Sequence, residues 1–317
     1  MPNLTPILVS IAALGLLAAV WGHFVESRWF QIIRHDVDHR GDRRAPGAAL
    51  RIVLLSDFHY HRGARMGRRL VERINALRPD LVLLAGDLID TNKGIEPCAR
   101  ELARLRAGHG VFAVLGNHDY HYYSLWDVAT NNLSPPTRND SDRLVRELER
   151  AGIEVLINES RELEIAGATV RLVGLDDAIS GRLIAESAKV DPAYALIERT
   201  TLVLSHSGFP ADTLPTDSRT LVMAGHTHGG QIRIPILSRL LLRGRVDSEH
   251  LHGWRELPSG GRVYVNRGLG TTHLFPFRFN ARPEVAVFEL VADARQAAIP
   301  SSSLPLEVGA VAEREEC

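Results

Sequence analysis

The sequence predicts an α/β fold in which two mixed β-sheets pack together and helices cover their outer faces. In the first half of the chain, short apolar runs alternate with helical patterns, which is typical of strand–helix–strand units with parallel strands. In the second half, strand-like runs follow one another closely, and antiparallel pairing is expected there. The chain has 317 residues, 45% of them hydrophobic, which is enough to bury a large core.

Residues 1–25 are expected to form a membrane anchor. Pro2–Val25 contains no formally charged residue, and Leu4–Phe24 is largely apolar, which matches the ~20 residues that a helix needs to span a bilayer. A cleaved signal peptide is the alternative, but no basic stretch precedes the apolar run and no small-x-small cleavage site follows it. Several arginines follow the segment, and this charge bias places the rest of a single-pass protein on the cytoplasmic side.

The segment of residues 26–50 reads as a polar linker that leads into the first strand. Residues 51–291 are expected to form one domain, and residues 292–317, rich in Ala, Ser and Glu, a disordered tail. The strands of the domain are expected at its apolar runs: Arg51–Ser56, Leu81–Ala85, Val111–Leu115, Ile153–Ile157, Glu162–Ile165, Thr169–Val173, Thr201–Leu204, Thr220–Ala224, Arg262–Val265 and Val285–Leu290.

Helices are expected where apolar residues recur every three or four positions. The first ends before Pro79, and the third begins after a cap at Asp140 or Ser141 and ends at Gly152. The expected helices are Met66–Leu77, Glu96–Arg106, Ser141–Arg150, Leu183–Glu186 and Pro192–Arg199.

The overall charge excludes some classes of partner. A net charge of -1 and a sequence pI near 6.9 give no electrostatic basis for nucleic-acid binding. The two cysteines, Cys98 and Cys317, do not form a disulfide framework. The 14 histidines are numerous for this length, and their positions indicate a function.

The stretch Leu81–Asp90, LVLLAGDLID, organises the candidate site. Its apolar run suits a strand buried on both faces, and Gly86 turns the backbone so that Asp87 lies at the strand's carboxyl end, where open α/β sheets bind ligands. A buried carboxylate needs positive charge nearby, and no Lys or Arg follows until Lys93. We therefore expect metal ions to supply that charge.

Five apolar runs end in polar residues of the same kind. One polar segment of this kind after an apolar run is more often an ordinary turn, but five such segments in one chain are hard to explain by turn chemistry. These side chains offer imidazole nitrogens and carboxylate or amide oxygens but no thiolate, a ligand set that suits Mn, Fe, Zn or Mg. The set is too large for one ion and fits two ions that share one carboxylate. The residues at these ends are Asp57, His59, Asp87, Asn117, His118, His206, His226 and His228.

These segments, SDFH, GDLID, GNHD, SHSG and GHTH in that order from Ser56 to His228, resemble the calcineurin-like metallophosphoesterase superfamily. GHTHGGQIRIP and Tyr264–Glu289 are similar to its membrane-associated bacterial branch, which includes UDP-2,3-diacylglucosamine hydrolases. The resemblance implies a four-layer α-β-β-α sandwich with an N-terminal transmembrane helix in the bacterial inner membrane. It also implies a cofactor of two divalent metal ions, with Mn preferred and Zn, Fe or Mg as alternatives.

The resemblance also implies a role for each matching residue. The first metal would be held by Asp57, His59 and His228, Asp87 would bridge, and the second metal would be held by Asn117, His206 and His226. His118 would not be a ligand but a general acid or charge stabiliser at the leaving oxygen, oriented by Asp90. Asp119 would support the site from outside or be a turn residue, and both alternatives stay open.

The implied reaction is hydrolysis of a phosphodiester or pyrophosphate bond by a metal-bridging hydroxide that attacks phosphorus in line. In serine/threonine phosphatases the bridging segment continues Asp-Arg-Gly, whereas Asp90 is followed here by Thr91 and Asn92, so phosphoprotein substrates are disfavoured.

Two stretches flank the ligand loops and are candidates for substrate binding. The irregular segment 120–138 is rich in aromatic residues, and Ile236–Arg245 places arginines among leucines. For both, packing onto the domain is the alternative, and Phe275, Phe277 and Phe279 can extend an apolar rim. The candidate substrate-binding residues are Tyr120, Tyr122, Tyr123, Trp126, Arg239 and Arg243.

An anchor, a cytoplasmic site and an apolar, basic rim favour an amphiphilic substrate at the membrane surface. A lipid-linked nucleotide such as UDP-2,3-diacylglucosamine fits this description. A general or cyclic-nucleotide phosphodiesterase is the alternative. A non-catalytic membrane-bound metal-binding scaffold is a third reading, but the complete ligand set argues against it.

Overall fold

The structure, a computed structural model, describes residues 5–39, 49–61, 67–124, 126–127, 137–183, 200–214, 216–234 and 251–292. Two six-stranded mixed sheets form the centre of the described chain, which confirms the predicted pair of mixed sheets. The helices are α1 Thr5–Phe24, α2 Arg68–Ala76, α3 Ile95–Leu102, α4 Asn117–Tyr120 and α5 Ser141–Arg150. The strands are β1 Gln31–His39, β2 Ala49–Leu55, β3 Leu81–Ala85, β4 Val111–Val114, β5 His121–Tyr122, β6 Thr137–Arg138, β7 Ile153–Val155, β8 Glu159–Ile165, β9 Ala168–Gly174, β10 Thr200–Leu204, β11 Thr220–Ala224, β12 Gly253–Glu256, β13 Arg262–Val265 and β14 Glu284–Ala292.

The first sheet has the strand order β1-β14-β2-β3-β4-β7. All its neighbours are parallel except β14 and β2. The carboxyl ends of β2, β3 and β4 therefore meet at one edge, and this edge carries the first half of the candidate site.

The second sheet has the order β12-β13-β11-β10-β9-β8. The antiparallel pairing expected for this half occurs only at its two edges, β8 with β9 and β12 with β13. The central strands β9, β10, β11 and β13 are parallel, which corrects the sequence-based expectation. The reason is connection length: Gly174 and Thr200 are far enough apart in sequence for a crossover, which needs about a dozen or more residues.

Apolar residues fill three layers. The helices α2, α3 and α5 cover the outer face of the first sheet through residues such as Ile74, Leu102 and Leu148. A second cluster lies between the sheets and joins Leu83 to Leu204. A third cluster covers the outer face of the second sheet. The helical segments 183–186 and 192–199 expected there lie outside the described residues, apart from Leu183, which packs against the third cluster.

Four strands were not predicted: the short pair β5 and β6, and the strands β1 and β12, which lie at sheet edges. β1 occupies part of the expected linker, and it pairs in parallel with β14. An edge strand needs only one apolar face, so charged residues can interrupt the apolar run by which a strand is predicted. In β1, Arg34 is such a residue, with 57% of its side chain exposed. In β12, the partly buried Trp254 packs edge-to-face on Tyr264, while Arg255 and Glu256 are charged.

The N-terminal helix α1 is apolar, and most of its side chains are exposed. Among the described residues, one helix, spanning Thr5–Arg28 with its terminal turn, is long and apolar enough to cross a membrane, judged by length and composition. A short 3-10 turn, Glu26–Arg28, then leads almost directly into β1.

Helix α5 is capped as the sequence predicts, because the Arg143 backbone N–H donates to the Asp140 side chain over 3.0 Å. Replacing Asp140 by Ala should lower the free energy of unfolding by about 1 kcal/mol, since that N–H loses its partner. Thermal unfolding should shift down by about 2–4 °C. D142A removes a carboxylate from the same helical turn without removing the cap bond, and an equal shift in that control would contradict the capping role.

Candidate metal centre

The candidate ligands follow the carboxyl ends of parallel strands from both sheets. In the first sheet, Asp57 follows β2, Asp87 follows β3 and Asn117 follows β4. In the second sheet, His206 follows β10 and His226 follows β11. Both sheets therefore direct polar side chains to a common edge, as expected for ligand sites in open α/β sheets.

The backbone at this edge is strained. Five candidate ligands have left-handed φ angles between 51° and 75°: Asp57, His59, Asp87, His226 and His228. Such angles are unfavourable for residues other than glycine and cluster at functional sites. A side chain on Gly116 would lie 2.3 Å from Asp87 Oδ1, so only glycine lets these loops approach so closely.

Ligand atoms of the first group, Asp57, His59, Asp87 and His228, lie within 4.8 Å of one another, and all four residues are buried. The Nε2 atoms of His59 and His228 are 2.9 Å apart. Asp57 Oδ1 lies 3.6 Å from His228 Nε2.

The second group consists of Asp87, His206 and His226. His206 Nε2 lies 3.2 Å from His226 Nδ1 and 3.2 Å from Asn117 Oδ1. Asp87 belongs to both groups: its Oδ1 lies 3.3 Å from His206 Nε2, and its Oδ2 lies 3.6 Å from His59 Nε2. The structure therefore brings together all seven residues that the sequence marks as ligands.

These residues fit a pair of divalent cations. The facing imidazole nitrogens are 2.9 and 3.2 Å apart, close to the ~3 Å between two ligands at right angles around an ion with bonds of about 2.0–2.2 Å. The donors are carboxylate and amide oxygens and imidazole nitrogens, and none is a cysteine. Together with the shared Asp87, the clustered side chains indicate a binuclear site.

Burial and mutual charge shift the pKa values of these groups. Burial alone would raise the pKa of Asp87, but the charges of His206 and His118 hold it well below its usual range. Burial lowers the pKa of His206, yet the Asp87 and Asp57 carboxylates raise it to about 10. Burial and the charge of His206 lower the pKa of His226 to about 3. A bound cation would favour the deprotonated form of His206, because only a neutral imidazole coordinates a metal.

Asp90 supports more residues than the sequence indicated. Its Oδ1 lies 2.7 Å from His59 Nδ1, with which it forms a hydrogen bond, and 3.1 Å from His118 Nδ1, which is buried and has no hydrogen bond among the described residues. Its Oδ2 accepts the His273 backbone N–H over 2.8 Å and lies 3.0 Å from His273 Nδ1. His273 was not predicted, because it lies in a loop after β13 with no recognisable motif.

The side chain of Asp119 holds two loops of the site together. It is buried, its Oδ1 accepts the backbone N–H groups of Leu88 and Ile89, and its Oδ2 accepts that of Gly116. These bonds join the loop that carries Asp87 to the loop that precedes Asn117. Of the two alternatives left open by the sequence, the structure favours support.

Arg278 lies between the candidate rim residues Phe277 and Phe279 but points into the protein. It is fully buried, and its guanidinium donates to the carbonyls of Gly270 over 2.6 Å and Arg267 over 2.9 Å. Its Nη2 lies 3.3 Å from His228 Nδ1, so it packs directly behind a candidate ligand. Of the rim residues, Phe275 is 44% exposed.

The candidate substrate-binding residues separate into four groups. Tyr120 is buried, and its hydroxyl donates to Asp176 over 2.5 Å, so it takes the packing alternative. Tyr122 stacks on His273 and Tyr123 lies against His118, with ring centroids 5.1 and 4.8 Å apart, whereas Trp126 is 70% exposed. The remaining two, Arg239 and Arg243, lie outside the described residues.

Comparisons with known proteins identify a family model and relatives that match this chain. A family model described as calcineurin-like phosphoesterase matches residues 50–230, which include the loops of both sheets. Phosphodiesterase YaeI of Escherichia coli (strain K12) is 32% identical over 278 residues, covering 85% of this chain and 91% of the relative. UDP-2,3-diacylglucosamine pyrophosphatase LpxG of Chlamydia trachomatis (serovar D) is 27% identical over 328 residues, covering 90% of this chain and 96% of the relative.

Replacing Asp87 by Asn should reduce the metal content from two ions per chain and lower hydrolysis by more than about a hundredfold, because one charge that serves both groups is lost. Elemental analysis and a phosphodiester assay measure the two effects. D80N is a matched control, since Asp80 accepts the Arg51 backbone N–H away from the site. Full metal content in D87N would contradict the central position of Asp87.

Proposed function

Because this chain belongs to the calcineurin-like phosphoesterase family and is a metal-dependent hydrolase, we propose that it cleaves a phosphodiester or diphosphate bond. The observation that carries this proposal is the pair of buried histidine and aspartate groups that share Asp87. Such an arrangement suits in-line displacement at phosphorus, where charge develops on both the attacking and the leaving oxygen.

One cation would be held by Asp57, His59, Asp87 and His228, and the other by Asp87, Asn117, His206 and His226. We assign manganese first, because oxygen and imidazole donors suit it, with zinc, iron and magnesium as alternatives. When bound, the cations supply Lewis acidity that activates water and neutralises charge on the phosphoryl oxygens.

The chain's own groups then position and protonate the leaving oxygen. His118 has 14% of its side chain exposed, and its Nδ1 faces Asp90. Because Nδ1 faces the Asp90 carboxylate, Nε2 is the nitrogen that would donate a proton to the leaving oxygen or stabilise its charge. Burial raises the pKa of Asp90, but the neighbouring His59 and His118 outweigh this and hold it well below its usual range, so it serves as a permanent negative partner.

Replacing His118 by Asn should leave two metal ions per chain and lower kcat by about a hundredfold or more, since only proton transfer is removed. H121N is a suitable control, because His121 is the next histidine in the chain and contacts Ser180 rather than Asp90. Loss of metal from H118N would show that His118 is a ligand and that its proposed role is wrong.

The proposed substrate is amphiphilic, a lipid-linked nucleotide such as UDP-2,3-diacylglucosamine. This rests on the relative LpxG, which is matched over nearly its whole length, and on the apolar helix α1. We place α1 in the bacterial inner membrane as a single span, with the hydrolase domain on the cytoplasmic side. The second candidate is general phosphodiester hydrolysis, including cyclic nucleotides, and the relative YaeI favours it.

A substrate panel distinguishes these candidates. The full chain, purified with Mn²⁺, is assayed against UDP-2,3-diacylglucosamine, bis-p-nitrophenyl phosphate and cyclic nucleotides, with D87N as the inactive control. We expect kcat/KM for the lipid to exceed that for the other substrates by about tenfold or more, a difference of about 1.4 kcal/mol in transition-state binding. Turnover of the diesters without the lipid would leave only the second candidate, and two bound metals with no turnover would indicate a scaffold.

A further inference from the structure

The end of α1 is attached to the domain beside the metal centre. Gly22 is buried, and a side chain there would lie 2.3 Å from the carbonyl oxygen of Arg278. Ser27 Oγ donates to the Gly22 carbonyl over 2.6 Å and accepts the Arg278 backbone N–H over 3.1 Å. Glu26 accepts the Ala281 backbone N–H over 2.7 Å. The helix therefore meets the domain through a specific contact and not through a free linker.

A cavity of about 310 Å³ lies at this junction. Its lining includes two tryptophans, Trp21 and Trp29, two arginines, Arg267 and Arg282, and Gln31. None of the seven candidate metal ligands lines it, so it is separate from the metal centre.

The polar groups of the cavity favour an anion. The Arg282 guanidinium lies 3.9 Å from the centre of the Trp29 ring, and its Nε donates to the Trp29 carbonyl over 3.1 Å. Its other N–H groups form no hydrogen bond within the part of the chain that the structure describes, so they can meet a ligand. Gln31 Nε2 is buried and has no hydrogen-bond partner among the described residues. A buried amide without a partner is unfavourable, and a ligand with acceptor oxygens would satisfy it.

The carboxylates near the cavity are already engaged. Glu26 lines it, but its Oε1 accepts the Ala281 N–H. Glu284 accepts the Tyr264 hydroxyl over 2.5 Å, and its other oxygen lies 3.5 Å from Arg267 Nε. Charge is nevertheless left over, because the buried Arg278 also interacts with Glu26 and Glu284. Arg267, Arg278 and Arg282 therefore outnumber these two carboxylates by one positive charge, which suits a phosphate group.

The location of the cavity indicates where that phosphate comes from. Tryptophans at the end of a membrane helix lie at the level of lipid headgroups, and basic pockets beside such helices bind anionic headgroups. Trp21 and Trp29 are 48% and 53% exposed at the end of α1. We propose that this cavity binds the phosphate of an anionic membrane lipid, such as phosphatidylglycerol. The proposal rests on the membrane placement of α1 given above, but not on hydrolysis.

The experiment measures lipid binding by the full chain. The protein is extracted in mild detergent with a metal chelator, so that the metal centre cannot hold phosphate, and native mass spectrometry follows its titration with phosphatidylglycerol or phosphatidylcholine. We expect one phosphatidylglycerol per chain, bound about tenfold more tightly than phosphatidylcholine. Equal binding of the two lipids would overturn the proposal. Because no turnover is measured, failure of the proposed hydrolysis would not change this result.

Variants distinguish the cavity from general charge attraction. The double variant R267Q/R282Q should lose the preference for phosphatidylglycerol. The control R28Q/R34Q removes the same charge from exposed arginines that do not line the cavity, and should keep it. Equal losses in the two variants would mean that surface charge, and not the cavity, attracts the lipid.

Two further measurements complete the test. Q31L removes the unpartnered amide without changing charge, and it should also weaken phosphatidylglycerol binding. This variant decides the question if R267Q/R282Q shows a lowered thermal midpoint. In a competition arm, inorganic phosphate should not displace the lipid, since it lacks the acyl chains that pack beside α1 in the detergent micelle. Displacement by inorganic phosphate would identify a free-phosphate site and overturn the lipid assignment.

Discussion

A single buried carboxylate, that of Asp87, joins the two halves of this protein. A carboxylate removed from water is costly unless positive charge meets each of its oxygens. Here one oxygen faces His206 from the second sheet and the other faces His59 from the first. The packing of the two sheets is therefore the condition for the site, because neither sheet alone supplies both partners. The same arrangement explains why the strand ends carry strained left-handed residues around it.

Around Asp87 lies a set of buried charged groups whose role is to hold other groups in place. Asp90 faces the Nδ1 atoms of His59, His118 and His273. Arg278 packs behind His228, and its carbonyl partners fix the loop beside it. Partners of this kind orient imidazole ligands and determine which nitrogen faces the ion. The proposed chemistry therefore depends on residues that would never touch a substrate.

The segment from Arg267 to Arg282 connects the metal centre to the end of α1. His273 reaches Asp90, Arg278 reaches both His228 and Ser27, and Arg282 stacks on Trp29. An enzyme anchored through this contact would hold its site at a fixed distance from the bilayer, because no flexible linker separates them. This geometry is consistent with an amphiphilic substrate, and it makes the proposed lipid cavity a neighbour of the site and not a remote patch.

The sequence by itself determined the buried strands and the set of candidate ligands. Apolar runs such as Leu81–Ala85 and Thr220–Ala224 coincide with β3 and β11, because a strand buried on both faces has an unambiguous pattern. All seven candidate ligands follow such runs, as does His118, and the family resemblance separated His118 from the ligands. Only the tertiary structure decided the edge strands β1 and β12, the parallel centre of the second sheet, the burial of Tyr120, and the roles of His273 and Arg278. These depend on contacts between residues far apart in the chain, and local composition carries no record of which distant group a side chain will meet.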